Sequence, residues 1–361
     1  MRTLLLLTLA LPLLILPLHA QKNNPKQPDP RTSSKATVIR PTTLYIQADT
    51  GSDKIGTLTP GREMAILEGG GQGAGQGGGQ GNALNSGQGA QPGADHPAHW
   101  LHVYANTDEE TVRQADQPVF SDQRASQPIS GWIEATNAIA ADTPQGEAIL
   151  FGEAISFEQA ASAPHPPADA AQSARRLYRM TAELFPNDAR TPEALWRSAD
   201  IRWQLQKQDA ATLPSAHEKE AYLRQQPDEA EMKRIEKQYS GSKWASYAAY
   251  DLIDNKLCGD WQGSEKCPEQ EAGYYAKFAD QYPDSPRAPQ ALYEAAWRLA
   301  CAGDMWSADN DDKRAADDRK HSIDTAGHLL TKYETADYAA RGAGLIYKVE
   351  HSIPVYGSDR Q

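Results

Sequence analysis

The chain has 361 residues, with 39% hydrophobic side chains, which is enough for two packed cores. Its 36 lysines and arginines face 48 acidic residues, a net charge of -12. That balance excludes the basic surface with which a protein neutralises nucleic-acid phosphates, and it disfavours anionic lipid headgroups as partners.

The N-terminus reads MRTLLLLTLALPLLILPLHA: one arginine, then an apolar stretch from Leu4 to Leu18, and a small residue, Ala20, at the expected cut. The stretch has the length of a signal-peptide core and falls short of the ~20 residues that span a bilayer as a helix. Residues 1–20 are therefore expected to be a signal peptide. No cysteine sits near the cut to carry a lipid anchor, and no membrane span is expected after cleavage. The expected location is therefore the periplasm or outside the cell. Residues 21–35 are polar and proline-rich and read as a disordered tether.

From Ala36 the texture changes to short β patterns: ATVIR, TLYIQ, KIGTL, REMAIL, WLHVYA and GWIEA. Turn residues punctuate them, so residues 36–140 are expected to form a small barrel or sandwich. Two insertions interrupt it. Residues 69–99 open with a Gly/Gln tract expected to behave as flexible coil, and residues 105–130 are charged and polar without apolar period. Tyr45, Gln47, Trp100 and Tyr104 are the candidate binding residues of this module, while Trp132 is expected in its core. The run HPAHWLH spaces His96, His99 and His102 three apart. Strand alternation would send His99 and His102 to opposite faces, and no cysteine or carboxylate cluster completes a ligand set, so no metal site is expected.

Residues 141–170 read as a linker with a candidate first helix, GEAILFGEAISFEQAAS, and helical patterns dominate 171–361. Within them one sentence is written twice, ninety-seven residues apart: ELFPNDARTPEALWRSAD from Glu183 and DQYPDSPRAPQALYEAAW from Asp280. Tyr178 and Tyr275 lie eight residues before the first proline of each copy, and Ala194 and Ala291 eight after it. QYSGSKWASYAAY around Tyr239 and KYETADYAARGAG around Tyr333 are weaker copies that lack the proline. The pattern predicts stacked helical hairpins in which an aromatic nests against alanine and proline restarts the chain, with a last helix near Ala339 to Glu350 closing the stack.

YPDSPRAPQALYEAAW resembles the tetratricopeptide-like repeats of TolA-binding (Tol-Pal coordinator) proteins and of outer-membrane assembly lipoproteins. The intervals of 54, 43 and 51 residues between the matched aromatics exceed the usual 34-residue period of such repeats. The β module resembles bacterial SH3 (SH3b) domains through Val38-Ile39-Arg40, Leu44 to Gln47, Lys54 to Gly61, Trp100 to Val103 and Gly131-Trp132-Ile133. Gln47 stands where that family usually has arginine. The resemblances imply a two-domain chain, a small SH3-like β-barrel followed by a TPR-like α-helical hairpin stack. They also imply an envelope protein held by the repeats, and peptidoglycan or a second protein touched by the barrel.

In an oxidising compartment Cys258 and Cys267 could close the short loop CGDWQGSEKC; the alternative is three unpaired thiols, with Cys301 left over either way. The chain has no G-x-S-x-G, H-E-x-x-H or phosphate-loop signature. Neither Cys258 nor Cys267 stands at a helix start beside a histidine base. The expectation is a non-catalytic exported adaptor without cofactor, the alternative a divergent cell-wall peptidase or amidase accessory with an unrecognised cysteine site.

Overall fold

The computed structural model describes residues 33–68, 100–106 and 128–357. The expected signal peptide, most of the tether and nearly all of both insertions, with His96 and His99, lie outside the described residues.

Among the described residues seven strands form one antiparallel sheet: β1 (Ser34–Val38), β2 (Thr42–Tyr45), β3 (Lys54–Leu58), β4 (Glu63–Glu68), β5 (Trp100–Ala105), β6 (Ile129–Glu134) and β7 (Ala138–Ala140). Their order is β3-β2-β6-β5-β4-β1-β7. Because β1 pairs with both β4 and β7, the two ends of the module lie side by side. Alternation decides which side chains go inward. On β5 Leu101, Val103 and Ala105 are buried while Trp100, His102 and Tyr104 stay half-exposed. On β6 Gly131 and Ile133 go in and Trp132 comes out, which corrects its expected place in the core. Gly131 is needed there, since a Cβ would stand 2.7 Å from Leu44 Cγ and 2.8 Å from the Tyr45 carbonyl oxygen. β1 starts at Ser34 and β6 at Ile129, so polar residues that composition gave to the tether and the second insertion are taken up by strand pairing.

Helices follow: α1 (Gly146–Ala161), α2 (Ala170–Leu184), α3 (Thr191–Ala211), α4 (Ala230–Gln238), α5 (Lys243–Asp251), α6 (Lys266–Gln281), α7 (Ala288–Ala308), α8 (Asp312–Lys332) and α9 (Asp337–Glu350). From α2 onward they pair as four hairpins. The four matched aromatics hold one structural position. Phe185, Tyr239, Tyr282 and Tyr333 are the first residues past α2, α4, α6 and α8, with φ between -116° and -129° and ψ between 34° and 60°. Each carbonyl accepts from the amide three residues on, at Asp188, Ser242, Ser285 and Ala336.

The proline copies are the closer pair. α3 and α7 both run 21 residues, with Pro192 and Pro289 in their first turns. A proline there removes an amide that no helical carbonyl would have accepted. Without proline, α5 starts two residues sooner relative to its aromatic, and the Ser242 hydroxyl accepts from the Ala245 amide at 3.2 Å. Tyr178 and Tyr275 are buried as expected, and Ala194, Ala291 and Ala248 are fully so. Hydroxyls of the cap tyrosines join successive hairpins: Tyr282 donates to Glu236 at 2.8 Å and Tyr333 to the Pro283 carbonyl at 2.6 Å. Phe185 has no hydroxyl and instead covers Gly146 at the start of α1.

The sheet is docked on α1 and α2. Ile39 and Ile139 pack with Leu150, Leu177 and Tyr178. Arg176 Nε donates to the Pro60 carbonyl at 3.0 Å. Gly61, at φ 80°, lets the turn press on α2, because a Cβ would stand 2.6 Å from the Leu177 amide nitrogen. The helical part of residues 141–170 is thus packed structure that carries the sheet. No helix among the described residues is long and apolar enough to cross a membrane.

Candidate functional site

Two surfaces gather polar and aromatic side chains. The first is the outer face of the sheet. Tyr45 and Trp100 meet edge to face with ring centroids 5.6 Å apart. Tyr104 shares their face of β5, directly opposite Ser130 on β6. Gln47 lies past the end of β2 in an exposed turn, where its amide donates to Ser52 Oγ at 3.1 Å. The structure therefore brings Tyr45 and Trp100 together, leaves Tyr104 further along the same face and sets Gln47 apart.

Two members of this face were missed. Trp132 stacks on His102 at 4.7 Å with 12° between the planes. His102 Nε2 lies 2.7 Å from Ser130 Oγ, and its Nδ1 is 3.9 Å from Glu68 Oε2. The signal was available: Gly131 and Ile133 flank Trp132, and alternation makes the residue between two inward positions an outward one. His321 and His328 are both exposed on α8.

The second surface is built by α3 and α5, the second helices of their hairpins. Trp196 and Asp200 stand four apart on α3, and Trp244, Tyr247 and Asp251 at three- and four-residue steps on α5. These spacings put each set on one helix face. Trp196 stacks on Trp244 at 5.1 Å, and Tyr247 meets both rings edge to face at 5.1 and 5.5 Å. The Trp196 indole donates to Asp251 Oδ2 at 3.2 Å, and Gln204 donates to Asp200 Oδ1 at 3.1 Å. All five side chains are half-buried. Burial, and then the neighbouring Asp200 carboxylate, push Asp251 up to about 7. Burial raises Asp200 as well, against the hydrogen bond from Gln204. Arg287, at the start of α7, lies 5.4 Å over the Tyr247 and Tyr250 rings.

Sequence reasoning met Trp196 inside the repeated string ELFPNDARTPEALWRSAD. What it could not see is that α5 brings two more rings and a second carboxylate to it. The register between α3 and α5 is a tertiary fact.

The cysteines are structural. Cys258 and Cys267 form a disulfide with Cα atoms 6.2 Å apart, and Cys301 is buried on α7. The loop they close is held by Glu271, which accepts from the Cys258 amide at 2.8 Å and the Trp261 indole at 3.0 Å. Glu271 also pairs with Arg298 at 2.8 Å, and both side chains are buried. No cysteine thus presents an accessible thiolate. Among the described residues no group of three or more His, Cys, Asp or Glu side chains is arranged to hold a metal ion.

No family model matches the chain, and no curated protein matches it. Among solved structures it is similar to a DHF58 filament at 15% identity, covering 58% of this chain and 94% of that one, with a TM-score of 0.22. It is also similar to the de novo designed helical repeat protein DHR64 at 14% identity, covering 58% and 95%, with a TM-score of 0.21. Likeness at that level carries no argument about what this chain does.

Proposed function

We propose that the chain is an exported, non-catalytic adaptor of the bacterial cell envelope, whose hairpin stack holds a protein partner while the sheet module touches peptidoglycan or a second protein. The observation that carries this reading is the second-helix surface at Trp196, Trp244 and Tyr247. Large rings with polar tips, half-exposed beside desolvated carboxylates, suit a surface that takes a partner. Four hairpins with one shared cap geometry supply a rigid frame for it.

An SH3-like barrel is the finer reading of the sheet. It is supported by where the resembling segments fall: Val38 on β1, Leu44 and Tyr45 on β2, Lys54 to Leu58 on β3, Trp100 to Val103 on β5, and Gly131 to Ile133 on β6. The pairing of β1 with β7 supports a self-contained module. Its outer face, with Tyr45, Trp100, His102 and Trp132, is the surface for the second ligand.

The test uses the intact chain in two assays. Sedimentation with purified peptidoglycan should deplete the protein from solution, and replacing Tyr45 and Trp100 together by alanine should abolish that depletion. An envelope protein captured by the chain, then purified, should bind it directly with micromolar or tighter affinity. Cleavage of peptidoglycan fragments by the chain would overturn the non-catalytic reading, and the absence of both interactions would overturn the adaptor.

A further inference from the structure

The α3–α5 surface carries a charge imbalance that its own residues do not resolve. Lys207 is matched by Asp254 at 2.7 Å and Arg197 by Glu158 at 2.9 Å. Asp200 and Asp251 are left with hydrogen bonds from Gln204 and Trp196, and neither makes an ion pair among the described residues. Arg287 is the cation nearest in effect to both, yet it lies on tyrosine rings and bonds Gln290 at 2.8 Å. Two neighbouring carboxylates drawn out of water, opposed only by Arg287 and, at Asp200, by a Lys207 already paired with Asp254, are further stabilised by whatever brings more positive charge to them.

The rings beside them hold the same sign of ligand. Lys243 Nζ sits 4.3 Å over Trp244, and Arg287 Cζ 5.4 Å over Tyr247. Aromatic faces attract ammonium and guanidinium groups, and the aliphatic stems of those side chains lie well along an indole. An acidic segment would meet Asp200, Asp251 and Asp254 and be repelled. A bare metal ion would lack the three ligands it needs.

Resting on the adaptor reading above, we infer that the Trp196–Asp251 surface seats a lysine- or arginine-bearing segment of the protein partner. Its cation lies at Asp200 and Asp251, and its aliphatic stem lies on Trp196 and Trp244. The stack thereby reads its partner by positive charge.

The test is an NMR titration of the intact chain, labelled at its tryptophan indoles. One probe is an alanine peptide of twelve residues carrying four lysines, and the other is the same peptide with four glutamates. The basic peptide should shift the indole signals of Trp196 and Trp244 and lose affinity with rising salt; the acidic one should leave them in place. D200N/D251N keeps the side-chain shapes and should bind the basic peptide about tenfold more weakly or worse. An unchanged thermal midpoint or a raised one shows that this variant is folded. W244A is a second variant, expected to weaken binding while both carboxylates remain. Equal binding of the basic peptide by D200N/D251N, shifts caused by the acidic peptide, or no shifts from either peptide would overturn the inference. A natural partner held equally by the intact chain and by D200N/D251N removes the cation site and leaves the adaptor standing. Failure of the intact chain to hold any partner removes the adaptor itself.

Discussion

At the scale of single residues, buried charge is the most informative chemistry in the helical part. Glu271 and Arg298 are almost wholly enclosed, and Arg298 also lies 4.4 Å over the Tyr275 ring. Glu271 ties α6 to the disulfide loop through the Cys258 amide and the Trp261 indole. Arg298→Ala would strand a buried carboxylate, and a loss of about 3–5 kcal/mol in urea denaturation is expected. A loss below about 1 kcal/mol would show that water reaches the pair. Asp318 behaves oppositely. Burial, and then Glu269 on α6, push it up to about 7, with Asp317 adding to the rise and Arg314 opposing it. The native chain therefore holds a proton there that the unfolded chain releases near the ordinary carboxylate value. The stabilisation is complete below about 4 and is lost as pH rises through 7. Asp251 has the same sign. Asp318→Asn cannot ionise, so it should melt above the parent chain at pH 8, with the gap narrowing as pH falls and closing only below about 4.

Elements repeat one design with two kinds of start. In the proline copies, Tyr178 and Tyr275 on the first helix are buried, and Ala194 and Ala291 on the second helix are fully so. The alanines are small because another helix occupies the space. Ala291→Leu would force three extra carbons into that contact and should cost about 1–3 kcal/mol, read as a lowered midpoint in urea. The same change at exposed Ala340 on α9 should leave the midpoint nearly unmoved, which separates crowding from helix propensity. The disulfide acts at this scale as well. It closes a loop of nine-residue separation between α5 and α6, and its reduction should cost about 2–3 kcal/mol by loop entropy. Comparing the melts of oxidised and reduced protein checks that figure.

For the whole molecule, the decisive feature is the seam between sheet and helices. β7 faces two ways: Ala138 and Ala140 pack on the sheet core, while Ile139 belongs to the helical cluster with Leu150 and Leu177. Gly61 lies close against α2, and only glycine suits both its φ of 80° and the α2 backbone beside it. Gly61→Ala should push the sheet off α2 and cost about 1–3 kcal/mol. The exposed connection between α1 and α2 should then be nicked faster by protease, although it lies outside the mutated turn. Unchanged cleavage would mean that the seam is not what holds the two parts together.

The sequence by itself determined the order of β and α parts, the four hairpin corners and the pairs of buried aromatic and alanine. Each of these is written in local periodicity or in a repeated string, and local sterics translate such strings the same way each time. The pairing of Cys258 with Cys267 stood open between two alternatives, and the outward place of Trp132 was misjudged although alternation marked it. Only the tertiary structure decided that the sheet leans on α1 and α2 and that Trp196, Trp244 and Tyr247 meet beside two carboxylates. Those contacts join residues about fifty to more than a hundred positions apart, as with Trp196 and Asp251 or Pro60 and Arg176. No local pattern encodes them, because they follow from how completed elements fill space against one another.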